Sequence, residues 1–133
     1  MTHIDETGRS AEEAAADIAD AVRSLNHVTL DAASLEFPSE VYGILADLYT
    51  ATGRLPQALQ QLAQILSTQR DTGRLTLDDT TRHTDPNVAV TAVIEQLHTA
   101  AHTLEAVTHA LTEAQNDIAA VAINDPAVTG NDP

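Results

Sequence analysis

The sequence predicts an all-α protein: a long antiparallel helix hairpin, with a shorter N-terminal helix completing a three-helix bundle that dimerises. Three observations lead there. Apolar residues recur at helical spacing over long stretches, and two of these stretches keep a seven-residue period. Helix start and stop signals fall at their ends. No alternating apolar pattern bounded by turns occurs, and the chain has only three aromatic residues, so a sheet has no support.

The first helix is expected from Ser10 to about Asn26. The Ser10 hydroxyl can cap free backbone N–H groups, and Glu13, three residues on, completes a capping-box pattern. Ala11, Ala14, Ile18, Ala21, Val22 and Leu25 share one face of this helix. His27 to Phe37 reads as a connector with room for one helical turn after Asp31. The second helix opens at Pro38, since proline at the first helical position gives up only an N–H that has no partner there.

Gly53 and Pro56 invite a division of the next segment into two helices, but the apolar phase runs through them. Val41, Leu48, Leu55 and Leu62 are seven apart, with Ile44, Ala51, Ala58 and Ile65 as companions three positions on. Two independent helices have no reason to share that register. One helix from Pro38 to Asp71 is therefore expected, kinked near Gly53 and Pro56, with Gly73 as its stop. Tyr42 and Tyr49, seven apart, are expected to pack on a neighbouring helix, the first one. Thr-Gly-Arg occurs at Thr7, Thr52 and Thr72 and is read as glycine at bends and ends rather than as a binding repeat.

"RLTLDDTTRHT" reads as a loop, and Asp85 then caps a third helix with Pro86 in its first turn. No breaker follows before Pro126, so this helix is expected to reach about residue 122. Its seam pairs Val90, Leu97, Leu104, Leu111 and Ile118 with Val93, Ala100, Val107, Ala114 and Val121. Both positions apolar over five heptads specify knobs-into-holes packing. The first helix covers only part of the hairpin's apolar groove. A homodimer interface is accordingly expected through Val90, Leu97, Leu104, Leu111 and Ile118, with Val93 and Val107. The organisation is then a flexible stretch 1–9, a single helical domain 10–122 and a flexible tail 123–133.

Composition limits the chemistry. Twenty acidic residues against six basic ones give a formal charge of −14, which repels a phosphate backbone, so nucleic acid is not an expected partner. The same charge leaves open an acidic decoy of a DNA-binding protein, since Glu12, Glu13, Asp17 and Asp20 cluster on the first helix. The absence of cysteine excludes disulfides, thiolate metal sites and cysteine nucleophiles, and suits a reducing, cytoplasmic setting. No apolar run approaches the roughly 20 residues a membrane span requires, and no phosphate loop, nucleophile elbow or H-E-x-x-H pair is present. No cofactor and no catalytic residues are expected.

The most suggestive cluster is on the third helix. Glu95 and His98 spell E-x-x-H, the spacing used in carboxylate-bridged di-iron bundles, and His102, Glu105 and His109 follow. At 100° per residue all five fall within about 80° of arc, roughly 150° from the seam, which faces them outward. They are candidate ligands for a surface Zn²⁺ or Ni²⁺, and also ordinary wetted residues of a bundle helix. A metal-binding four-helix module with ferritin-like chemistry is thus the alternative to a non-enzymatic protein acting through a protein partner as scaffold, adaptor or regulator.

Two resemblances follow from particular residues. The acidic hairpin is similar in shape to secreted actinobacterial proteins marked by a Trp-x-Gly turn, but tryptophan, that turn and their C-terminal Tyr-acid signal are missing. "LEFPSEVYGILADLY", "RLPQALQQLAQIL" and "LTEAQNDIAAVA" resemble small uncharacterised acidic helical proteins of actinomycetes, often encoded near mobile elements. The likeness covers roughly residues 30 to 122 and fits an arginine-only, alanine-rich usage. It implies a helical fold and a cytoplasmic location, and no activity.

Overall fold

A computed structural model describes residues 2–78 and 85–122. It contains three α-helices: α1 (Ala11–Thr29), α2 (Pro38–Asp71) and α3 (Pro86–Ile118), with a 3-10 turn at Ala32–Ser34 between the first two. No strand occurs among the described residues. The fold is all-α, as the spacing predicts. α2 and α3 pack on each other as an antiparallel hairpin, and α1 approaches α2 across an open apolar groove.

Each start signal acts locally. Ser10 accepts a hydrogen bond from the Glu13 amide at 3.2 Å, capping α1. Ahead of it the Asp5 side chain organises a loop. The Asp5 carboxylate accepts from the amides of Thr7 and Arg9 and from the Thr7 hydroxyl, and Gly8 supplies the left-handed backbone at φ +85°. These bonds, the Thr7 hydroxyl foremost, lower the Asp5 pKa from its ordinary value of 3.8. Arg9 closes the loop onto α1 through Asp17 at 3.2 Å.

α1 runs three residues beyond Asn26, and the Thr29 hydroxyl bonds back to the Leu25 carbonyl at 2.8 Å. The turn expected after Asp31 is present, capped by Asp31 itself, and Ser34 ties it to the Val28 carbonyl at 2.9 Å.

α2 is continuous through Gly53 and Pro56 from Pro38 to Asp71, the bounds that the apolar phase predicts. At its start the Glu40 carboxylate accepts from the amides of Glu36 and Phe37. At its end Gly73 takes φ +69°, a conformation that glycine adopts without a Cβ clash.

Two hydrogen bonds set the hairpin register. The Thr108 hydroxyl donates to that of Thr52 at 3.0 Å, and Arg70 donates to the Thr91 hydroxyl at 2.9 Å. Gly53 lies at the same level, where an added Cβ would stand 3.8 Å from the Thr108 methyl. The seam at this level is narrow because its residues are small.

The structure corrects the sequence reading in three places. α3 ends at Ile118, about four residues short of the expected end. In the observed register Ile118 lies about one turn inside the N-terminal end of α2, and Ala119 closes α3 with its amide on the Gln115 carbonyl. Tyr42 and Tyr49 are 40% and 41% exposed, and neither lines the groove between α1 and α2. α1 instead faces Leu55, Ala58, Leu62 and Ile65 of α2, using Ala11, Ala14 and Ile18.

The third correction concerns the seam. Val90, Leu97, Leu104, Leu111 and Ile118 are half-buried in the hairpin, but their companions lie four residues on, at Ile94, Ala101, Thr108 and Gln115. Val93, Ala100, Val107 and Ala114, the companions expected from spacing, are exposed. α2 shows the same shift over most of its length: Leu45, Thr52 and Leu59 are half-buried. Of the expected companions Ala51, Ala58 and Ile65 are exposed and Ile44 is half-buried, and the expected seam residue Leu62 is exposed. Residues 79–84 and 123–133, which include most of the predicted loop and the whole predicted tail, lie outside the described residues.

Among the described residues only Ala63 and Ala101 are fully buried. Enlarging either overpacks the tightest part of the seam, so Ala63→Leu and Ala101→Leu are each expected to destabilise by about 1–3 kcal/mol in urea unfolding. Ala51→Leu, on the exposed stripe, should stay within about 0.5 kcal/mol. Gly53→Ala has room for its methyl and should stabilise by about 0.5–1 kcal/mol. Equal losses at Ala51 and Ala101 would show that the seam is misplaced.

Candidate functional site

Two surfaces of α3 compete for a functional role, on opposite sides of the helix. The first is the histidine stripe. Glu95, His98, His102, Glu105 and His109 are all exposed, as their helical angles predict. Only one pair among them interacts directly: His102 Nδ1 lies 3.4 Å from a Glu105 carboxylate oxygen, with both side chains largely in water. The E-x-x-H pair, Glu95 and His98, makes no such contact among the described residues, and no group of three or more His, Asp or Glu side chains there is placed to hold a metal ion. The stripe therefore offers at most two imidazoles four residues apart on one helix face. Apart from the exposed Glu105 carboxylate beside His102, no described group is placed to orient the rings, as a metal-binding site normally requires.

The second surface is apolar. Val93 and Val107 are each 41% exposed, and Ala100 and Ala114 lie between and beyond them at the seven-residue period. The two helices of the hairpin are antiparallel, and on both the exposed stripe falls three residues after the seam position. These stripes consequently lie on the same side of the hairpin, forming a broad face from Ala51, Ala58 and Ile65 on α2 and from Val93, Ala100 and Val107 on α3. α1 borders the α2 half of that face across the groove and makes no close backbone approach to either α2 or α3. Among the described residues fourteen large apolar side chains are at least 40% exposed, and no large side chain is fully buried.

Spacing identified Val93 and Val107 as interface residues together with five others, and the structure divides that group. Val90, Leu97, Leu104, Leu111 and Ile118 turn into the hairpin, while Val93 and Val107 turn away from it. The acidic residues of α1, Glu12, Glu13, Asp17 and Asp20, are exposed on that helix, and Asp17 is engaged by Arg9. Among the described residues no helix is long and apolar enough to cross a membrane.

No family model matches the chain, and neither does any curated protein or solved structure.

The histidine stripe has a direct test. With two rings on one exposed face, Zn²⁺ titration followed by calorimetry should give only weak binding, abolished in the His98→Ala, His102→Ala double variant, and a negligible rise in melting temperature. Tight stoichiometric binding with strong thermal stabilisation would establish a metal centre.

Proposed function

We propose that the protein is a non-enzymatic helical interaction module, a scaffold, adaptor or regulator, whose working part is the outward apolar face of the α2–α3 hairpin. The carrying observation is the mismatch between periodicity and burial. Val93, Ala100, Val107 and Ala114 keep the regularity of a packing stripe, yet nothing among the described residues buries them. A monomer that exposes so large an apolar face leaves substantial hydrophobic free energy unrealised, and such a face commonly marks a contact with another macromolecule. A helix or helical hairpin is the complementary shape for a stripe of this spacing.

The charge supports a protein partner over nucleic acid. At −14 the chain has six arginines to displace counterions from DNA, and two of these are engaged within the fold, Arg9 with Asp17 and Arg70 with Thr91. The cysteine-free sequence fits a cytoplasmic protein.

A photo-crosslinking amino acid placed at Val107 should yield a protein adduct in cells, and the same group at His98, on the far side of α3, should yield little. Adducts of equal yield at both positions, or none at Val107, would remove the basis for this function.

A further inference from the structure

We infer that the partner of the α3 half of this face is a second copy of the chain, docked with its own α3 antiparallel to the first. The inference rests on the interaction reading above and names the occupant of that surface. Self-complementary size is the first argument. Along the exposed stripe, valine and alanine alternate: Val93, Ala100, Val107, Ala114. A two-fold axis crossing α3 beside Thr103 sets Val93 of one copy against Ala114 of the other, and Ala100 against Val107. Every large residue then meets a small one, so the helices interdigitate at close approach. A parallel pairing instead sets valine on valine and alanine on alanine, leaving alternate layers crowded and loose.

Charge is the second argument. Two copies of a chain at −14 repel each other unless they meet where neither carries charge. α3 provides such a face. Between Asp85 and Glu113 its only acidic residues are Glu95 and Glu105, and both lie on the histidine stripe, more than about 100° around the helix from the valines. A basic partner would gain from the acidic surfaces and has no electrostatic reason to choose this uncharged one.

Hydrogen bonding is the third. The polar residues flanking the stripe include Thr99 and Thr103, whose hydroxyls donate to the carbonyls of Glu95 at 3.1 Å and Thr99 at 2.9 Å. Their donors are already satisfied, so covering them strands no O–H group. The contact length is also adequate. α3 is about 50 Å long and a helix 10–12 Å wide, giving a footprint of roughly 500–600 Å² on each copy and about 1,000–1,200 Å² in total. That meets the approximate lower bound for specific association and predicts a dimer of micromolar rather than nanomolar strength. α1 stays beside α2 in this arrangement.

Light scattering at about 50 µM should give a mass near twice the 14.1 kDa of one chain, and Val107→Asp should return it to one chain with its helical circular dichroism intact. Because the sequence has no cysteine, introduced thiols read the geometry directly. Thr103→Cys, beside the axis, should form a disulfide-linked dimer on mild oxidation. Ala114→Cys should not link to itself, since the two copies of that position stand about 30 Å apart along the helices, but it should link to Val93→Cys when the two variants are mixed. A wild-type mass of one chain at 50 µM, or efficient self-linking of Ala114→Cys, would overturn the inference. If the wild type is a single chain while Val107 still crosslinks a different protein in cells, the interaction function stands and only the identity of the occupant is wrong.

Discussion

The rest of the structure depends on the close approach of α2 and α3 at small residues. Ala63 and Ala101 are the positions where the seam is fully closed, and Thr52, Gly53 and Thr108 are where the helices come near enough for hydroxyls to bond across. Larger side chains at these points would hold the helices apart and leave the flanking leucines more exposed than they are. Small residues bring little transfer free energy of their own, about 0.8 kcal/mol for each buried methylene-sized group. Their contribution is to let Leu48, Leu55, Leu97 and Leu104 reach the opposite helix. The hairpin is therefore specified by shape at its centre and by leucines along its length, with Thr108–Thr52 and Arg70–Thr91 fixing the register between them.

Much of this was legible in the sequence. The continuity of α2 followed from a phase shared across Gly53 and Pro56, a long-range signal that outweighs the local preference of either residue. The caps at Ser10, Asp31 and Asp85 are local chemistry and appear where the residues place them. The division of the apolar positions was not legible. A heptad with apolar residues at three positions can pair the first with the fourth or with the fifth, and hydrophobicity favours the fourth here, since Val93 and Val107 are more apolar than Thr108 and Gln115. The structure takes the fifth, because Thr108 finds a hydroxyl partner in Thr52 and the contact is close. The end of α3 was illegible because Ala119 to Ala122 are permissive for helix and no breaker precedes Pro126.

The exposure of the histidine stripe was legible too, because the helical angle that places Val107 on one side of α3 places His98, His102 and Glu105 on the other. What sequence could not give is which side chains reach one another. Of five candidates, His102 and Glu105 meet across one turn, an arrangement available to any His–Glu pair three apart on a wetted helix. That contact requires no metal and leaves the remaining three candidates independent of it.

Charge and hydrophobicity are partitioned in the same sense on the first helix and the third. α1 sets Glu13, Asp17 and Asp20 in water and turns Ala11, Ala14 and Ile18 to the groove beside α2, with the exposed Glu12 at the groove as well. Between Asp85 and Glu113, α3 keeps its two acids, Glu95 and Glu105, with its histidines and off the valine face. In a chain with so few bases, acids cannot be neutralised in pairs. The repulsion can only be managed by position, with the acids where water screens them and the places of contact uncharged. The same constraint leaves the apolar face open beside a strongly acidic surface. For the docking proposed above, a second copy of like charge would meet repulsion in most orientations and least where the uncharged stripe faces it, so the same acidity that disfavours a phosphate backbone would favour that one geometry.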